Sequence, residues 1–585
     1  MLVLLIGLTG ALARSQLAQA DQARAKELRQ SLRQLALPAP RGVIYDRRGR
    51  VLAGARPQTD VVLHLGRLPL QEAGPDTPAL EEQAAVEFAR VAALLGRSEG
   101  FPQERWKQHL ARQRVLPFVL VADMSAVERE RLATALSAED PVQLEERTVR
   151  AYPHGATAAH VLGRLRSETV RTPVGQEYPI LNYIAPVGVD GIEQALEERL
   201  AGRPGHEVVR VDARGLRVGE PRERMEPVAG EGVRLSLDLD VQRAAEGAFD
   251  AMVGHPRGAA VALDVETGEV LAMVSRPTYD LGATSPVLTM DLHRQVEEAG
   301  GWLNRATQGL YPPGSAFKVV TTLAALRSGA ITPDTVEVCP GYHDVGGHRF
   351  TCHVAEGHGE VGVVEALAHS CNVFAYRAGL AAGPMALAEE ARRFGLDQPT
   401  GLDVGPETTR MLVPDPAWKL ETGRGEWMPG DTVNLAIGQG FLCITPLQAA
   451  SLMASLARRE AVTVPTLLYQ PGRSPSGDRP RIALDLGERD YAALIRGMRA
   501  VVEHGIGARA QVPGVSVAGK TGTAQVTRAD GPANVAWMIA FAPIDRPRVA
   551  VAVAIEAPEA DVEFTGAEHA APVVREIIAS RLTKA

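Results

Sequence analysis

The chain has 585 residues, 45% of them hydrophobic, and a formal net charge of -8. That length exceeds what one hydrophobic core organises, so two or three folding units are expected. The acidic balance, with a pI near 6.0, argues against nucleic acid as a partner.

The chain opens on a hydrophobic segment, Met1 to Ala13 (MLVLLIGLTGALA), followed by Arg14 and a polar stretch of helical character to about Leu37. A membrane-spanning helix needs about 20 apolar residues, which leaves two readings. One is a signal peptide cleaved after Ala18-Gln19-Ala20; the other is an uncleaved anchor over residues 1–14 whose start is missing or mis-assigned. No basic residue precedes the segment, which favours the anchor. On either reading the bulk of the protein lies outside the cytoplasm.

Pro40 to Ala53 alternates apolar and polar residues around a turn and reads as extended. A short strand over Asp60 to His64 follows, then amphipathic helices near Ala79–Leu95, Pro102–Arg112 and Ser125–Leu136. Gly188 to Leu196 (GVDGIEQAL) starts a helix with Asp190 as its candidate cap. Val233 to Leu237 is a strand leading into a helix over Val241–Ala251. Ala259–Asp264 and Glu269–Ser275 flank Glu266-Thr267-Gly268 as a hairpin. Tyr311-Pro312-Pro313-Gly314 breaks structure just before Ser315, and AFKVVTTLAALR to Arg327 is a run of helix formers, so Ser315 opens a helix. Strands over Ser516–Val526, Ala536–Ala542 and Val549–Glu556 and a helix over Gly566–Leu582 close the chain. The result is an α+β arrangement, a sheet built from both ends of the second half with a helical region inserted.

Three strings carry the chemistry: Ser315-Ala316-Phe317-Lys318, Ser370-Cys371-Asn372 and Lys520-Thr521-Gly522-Thr523. One helical turn separates Ser315 from Lys318 and puts them on one face. A serine hydroxyl is a poor nucleophile until a neighbour takes its proton. A lysine can do so only when burial or another cation pulls its pKa down. The helix start places partial positive charge beside both residues, and Lys520 adds a full charge if the fold brings it near. The chain has only six lysines, Lys26, Lys107, Lys318, Lys419, Lys520 and Lys584. That two of them fall inside these strings favours function over a solvated face.

In these strings the chain resembles the penicillin-binding proteins and serine β-lactamases, whose motifs are S-x-x-K, S-D-N and K-T-G. Cys371 stands where the middle motif usually has Asp, a position at which the family tolerates several residues. The resemblance extends through Asn304 to Leu310 (NRATQGL) and Gly438-Gln439-Gly440. Pro40–Ala53 and Gly188–Leu196 resemble the two boxes of the noncatalytic half of class B members. The resemblance implies a transmembrane anchor (1–14), an elongated mixed α/β, dimerisation-like pedestal (15–232) and a transpeptidase domain (233–585). That last domain would hold a five-stranded antiparallel sheet flanked by helices, with the third motif on an edge strand. It further implies that Ser315 attacks the carbonyl between the terminal D-alanines of a peptidoglycan stem peptide and that Lys318 takes the proton. Ser370 would relay it to the leaving D-alanine and Asn372 would hold Lys318 or the substrate amide. Lys520 would set the local field, Thr521, Gly522 and Thr523 would bind the terminal carboxylate, and the N–H groups of Ser315 and Thr523 would form an oxyanion hole.

A second group, Cys339, Cys352, His358 and Cys371, has the spacing C-x12-C-x5-H-x12-C. Thiolates and imidazole are the ligands of a closed tetrahedral zinc site, and elongation-type relatives are similar in sometimes carrying a metal there. A Cys339–Cys352 disulfide and small buried thiols are the alternatives. Cys443 reads as core, while His343, His348, His353 and His369 read as polar loop residues.

The leading reading is an elongation-type D,D-transpeptidase that β-lactams acylate, with zinc as a structural element and no cofactor needed for acyl transfer. A division-type transpeptidase shares every motif. A β-lactam sensor would need a multispan signalling region, and a β-lactamase has no use for a long stalk. By resemblance the partners are stem peptides, a SEDS-family membrane glycosyltransferase, elongation-complex scaffold proteins and the membrane itself. The expected location is the cytoplasmic membrane, single-pass, with the catalytic domain on the periplasmic side.

Overall fold

The computed structural model of the chain describes residues 7–11, 13–14, 31–69, 77–170, 183–285, 287–528, 531–559 and 562–583. Residues 7–11 and 13–14 are helical. No helix among the described residues is long and apolar enough to cross a membrane, and the remainder of the expected anchor lies outside them, as do residues 15–30.

The expected helix does not run to Leu37. Leu32–Leu37 is a strand, paired antiparallel with Gly205–Val211 so that Leu32 faces Arg210 and Leu37 faces Gly205. Leu32 and Leu35 are buried at a three-residue spacing that suits a helix as well, and the partner strand decides between the two.

The pedestal's main sheet joins Ile44–Tyr45, Val51–Leu63, Phe118–Val121, Val142–Ala151 and Val233–Arg234. Helices Thr77–Leu95, Gln103–Arg112 and Ala126–Ala135 close over it, and Trp106, Phe118 and Leu132 fill the space between. Ser125 and Glu128 form a reciprocal capping box at the third helix, satisfying donors that a helix start leaves open. The sequence reading lacked the strand Val142–Ala151, which pairs along its whole length with Gly54–Leu63. Four of its ten residues (VQLEERTVRA) are charged, and its middle, 145–148, is exposed on both faces.

Asp190 does not cap the helix Gly191–Ala195 with its side chain. Its carboxylate instead accepts from the backbone N–H of Arg164 at 2.6 Å and from Arg164 Nε at 2.9 Å. Glu193 in the same box is fully buried and takes hydrogen bonds from Arg41 at 2.5 Å and Arg150 at 2.7 Å. The two pedestal boxes are therefore joined by a buried ionic knot. Removing one partner strands the others' charge, so Glu193→Ala is expected to cost about 3 kcal/mol or more, seen as a lower midpoint for thermal unfolding of the pedestal. An unchanged midpoint would show that the knot contributes nothing.

The expected strand over Val233–Leu237 shrinks to Val233–Arg234, which pairs in parallel with Ile44–Tyr45. Helix α1 (Leu239–Asp250) follows, with the Asp238 side chain accepting from the N–H of Asp240. The second half holds a sheet of β1 (Gly258–Asp264), β2 (Val270–Arg276), β3 (Ala518–Arg528), β4 (Gly531–Ala542) and β5 (Val549–Glu556). Their order is β2-β1-β5-β4-β3, antiparallel throughout, so the third motif lies on an edge strand. Alternate residues face opposite ways. Ala260, Met538 and Val551 pack against α1 and the last helix, α6 (Ala571–Leu582). Val261, Trp537 and Ala552 pack against α2 (Lys318–Arg327), α3 (Asn372–Ala382), α4 (Pro446–Arg458) and α5 (Glu488–Glu503). A wider turn over Gly566–Ala570 precedes α6, where the sequence suggested one continuous helix.

Candidate active site

Ser315 sits in a tight turn, Gly314–Phe317, that runs directly into α2. Three glycines let separate backbones close around it. A Cβ on Gly314, whose φ is +54°, would lie 2.9 Å from the Thr523 carbonyl, and one on Gly522 would lie 2.7 Å from that of Pro313. A Cβ on Gly438 would come within 2.2 Å of the Gly314 oxygen, while the N–H of Gly314 donates to the Gly438 carbonyl at 2.9 Å. Gly522 of the third motif and Gly438 of the Gly438-Gln439-Gly440 string are thus requirements of close backbone approach.

Lys318 is 2% exposed. Its Nζ donates to Asn372 Oδ1 at 2.6 Å, to the Ser370 carbonyl at 2.7 Å and to Ser370 Oγ at 3.2 Å. The first and second motifs therefore meet through the amine. Ser370 holds a left-handed backbone, φ +52°, as the chain turns into α3, where the Cys371 sulfur at the cap accepts from the N–H of Phe374. Burial pulls the Lys318 ammonium down to about 8, opposed by the nearby Cys352, Cys371 and Cys339 thiols. Lys520 is fully buried, and burial, then the charge of Lys318, push its pKa well below the ordinary lysine value. Lys520 Nζ donates to the Thr521 carbonyl at 3.0 Å.

A cleft of about 900 Å³ opens over these groups, and its lining includes Ser315, Ser370, Asn372, Thr521, Gly522 and Thr523. Thr521 Oγ1 is buried with no hydrogen-bond partner, a polar group still to be satisfied. Thr523 is exposed to the cleft, and its Oγ1 accepts from the N–H of Gly566 at 3.4 Å. One wall is the hairpin Tyr342–Val345 and His348–Thr351, contributing Arg349, Phe350 and Thr351, which the sequence reading missed. Asn434 and Gln439 line the cleft too; the Gly-Gln-Gly string was the available signal for the latter.

The second predicted cluster also forms. One ligand atom from each of Cys339, Cys352, His358 and Cys371 lies within 4.8 Å of every other, and His358 Nδ1 is 3.6 Å from both Cys339 Sγ and Cys352 Sγ. A tetrahedral zinc with its usual bond lengths separates its ligand atoms by about 3.5–3.8 Å, so the donor set fits that ion. All four cysteines are free, without the alternative Cys339–Cys352 disulfide. The N–H groups of Asn372 and Phe374 point at Cys352 Sγ and Cys371 Sγ, at 3.3 and 3.5 Å, as thiolates require. A Cβ on Gly341 or Gly357 would lie 2.0 Å from a facing carbonyl, so glycine lets the two limbs of the knuckle cross. His343, His348, His353 and His369 stay outside the four-ligand group. Cys443 lies apart and is only partly buried.

Residues 258–579 match the family model described as "Penicillin binding protein transpeptidase domain". Residues 36–235 match the "Penicillin-binding Protein dimerisation domain". The chain is 30% identical over 549 residues to the peptidoglycan D,D-transpeptidase MrdA of Acinetobacter baumannii, covering 88% of this chain and 77% of the relative. The complex of Penicillin-Binding Protein (PBP2) and MreC from Helicobacter pylori is similar with a TM-score of 0.74 at 25% identity, over 94% of this chain and 99% of that one. A chain from a peptidoglycan synthase complex, described for coordinating polymerization and crosslinking, is similar with a TM-score of 0.72 at 32% identity, over 99% of this chain and 96% of that one. With a motif cleft built on such a transpeptidase sheet and a pedestal ahead of it, the chain belongs to the penicillin-binding protein family.

Proposed function

We propose that this chain is an elongation-type peptidoglycan D,D-transpeptidase, working through a serine acyl-enzyme and acylated by β-lactams. The observation that carries the reading is the convergence of three distant motifs on one cleft, with the Lys318 amine buried between Ser370 and Asn372.

Ser315 Oγ attacks the carbonyl carbon between the two terminal D-alanines while Lys318 Nζ takes its proton. The N–H groups of Ser315 and Thr523 receive the charge that develops on the carbonyl oxygen. The C–N bond then breaks, and the proton reaches the departing D-alanine amine through Ser370. An amine from a neighbouring stem peptide next attacks the ester, which forms the cross-link and returns a proton and free Ser315. Thr521 and Thr523 hold the terminal carboxylate, Gly522 admits it close to the strand, Asn372 orients the Lys318 amine, and Lys520 shapes the field from beneath.

Cys339, Cys352, His358 and Cys371 would hold one structural zinc, which stiffens the knuckle behind the hairpin wall and leaves acyl transfer to the side chains. An N-terminal anchor would fix the protein in the cytoplasmic membrane with its catalytic domain on the periplasmic side. The pedestal would meet a SEDS-family membrane glycosyltransferase and scaffold proteins of the elongation complex. The likeness to a PBP2 seen with MreC and to a synthase complex supports such partners.

Labelling with a fluorescent penicillin followed by peptide mapping tests the assignment. The adduct is expected on the peptide carrying Ser315 and should persist for tens of minutes. Loss within seconds would indicate a β-lactamase, and an adduct on another serine would sink the reading.

A further inference from the structure

The turn ahead of Ser315 is held by a charged group that none of the three motifs contains. Arg305 opens the short helix Arg305–Gln308 and is 4% exposed; Tyr311 is 7% exposed. Both side chains converge on Glu556, the last residue of β5. Tyr311 donates its hydroxyl to Glu556 Oε1 at 2.7 Å and Arg305 donates Nε to the same oxygen at 3.2 Å. Arg305 is itself tied down, with Nη1 donating to the Gly300 carbonyl at 2.8 Å and its backbone N–H to Ser275 Oγ at 2.9 Å.

The rest of the turn is fixed by backbone and ring contacts. Tyr311 and Ile444 exchange two backbone hydrogen bonds at 3.0 Å each. Trp537 Nε1 donates to the Pro312 carbonyl at 2.9 Å, and the Trp537 ring meets that of Tyr311 edge to face at 6.2 Å. Burial and then the charge of Glu556 push the phenol's pKa well above its ordinary value, so it remains a donor.

With the Arg305 side chain 5% and that of Glu556 22% exposed, the pair is largely withdrawn from water, where apolar side chains of similar volume stabilise as well or better. Its worth lies in direction. A reacting hydroxyl must be held to within about half an ångström of its working position, and Tyr311-Pro312-Pro313-Gly314 is the chain on which Ser315 hangs. We propose that Arg305, Glu556 and Tyr311 form a positioning clamp for the nucleophile, anchoring the turn to the end of β5 so that Ser315 Oγ stays registered against Lys318 and the β3 edge. The clamp touches no reacting atom, and the proposal rests on Ser315 being the nucleophile.

Acylation of the full chain by a fluorescent penicillin, followed to saturation, separates the non-covalent binding constant from the acylation rate constant. Tyr311→Phe is expected to slow acylation about tenfold, in line with the cost of a misplaced reacting group, while binding stays within twofold. Glu556→Ala should do at least as much. Glu556→Gln, whose amide oxygen still accepts from Tyr311, should recover part of the loss. A merely structural role would lower the melting temperature and leave the rate constant per labelled site unchanged. An acylation rate constant for Tyr311→Phe within twofold of the parent would overturn the clamp, and this variant decides the matter even if Glu556→Ala does not fold. Persistent labelling of Ser315→Ala would instead overturn the nucleophile on which the clamp rests.

Discussion

Lys318→Ala is expected to slow acylation by penicillin between about 10² and 10⁴-fold, the range contributed by a positioned proton acceptor. The structure ties this amine directly to the second motif, through Ser370 and Asn372. Only its neutral form can take the serine proton. Burial lowers its pKa to about 8, so at pH 7 roughly a tenth of the molecules are ready to react, far more than with an ordinary lysine. The sign of the pH dependence follows. The parent's acylation rate should climb between pH 6 and 8 as the ammonium loses its proton, then level off. Stopped-flow measurement of the second-order acylation rate checks both statements. A variant within tenfold of the parent, or a flat profile from pH 6 to 9, would remove Lys318 from the role of base.

The purified protein is expected to carry about one zinc per chain, and Cys352→Ala to lose it. The Cys352 sulfur faces two ways, toward His358 Nδ1 at 3.6 Å and toward the N–H of Asn372 at 3.3 Å. Removing it opens the four-ligand group and leaves that N–H without its acceptor, at the start of the helix that presents Asn372 to Lys318. The thermal midpoint should fall by on the order of 5 °C, the shift that a few kcal/mol produces in a domain of this size. Elemental analysis and thermal unfolding read the two effects separately. Protein free of zinc that keeps the parent midpoint would show that the thiols stand without a metal.

Much of the site was legible because it is local. Ser315 and Lys318 lie one helical turn apart, and the Pro-Pro-Gly string ahead of them marks where that turn begins. The hairpin of β1 and β2, the helix capped by Ser125 and the strand over Val549–Glu556 each carry their periodicity or turn residues within a single window. Spacing also put three thiols and an imidazole on the page as one set, with zinc as the leading reading and a disulfide or plain buried thiols as the alternatives.

Other features depend on partners far along the chain. Leu32–Leu37 could have been helix until Gly205–Val211 supplied its hydrogen bonds. Val142–Ala151 reads as a charged surface run and is a strand because Gly54–Leu63 lies beside it. Asp190 had the right place for a cap, but Arg164 competes successfully for its carboxylate. The sequence by itself determined which groups could do chemistry: the serine, its lysine, the third-motif glycine and threonines, and four candidate metal ligands. Only the tertiary structure decided their state, because burial, amine pKa and the reach from Glu556 to Tyr311 depend on which distant segments exclude water from a given side chain.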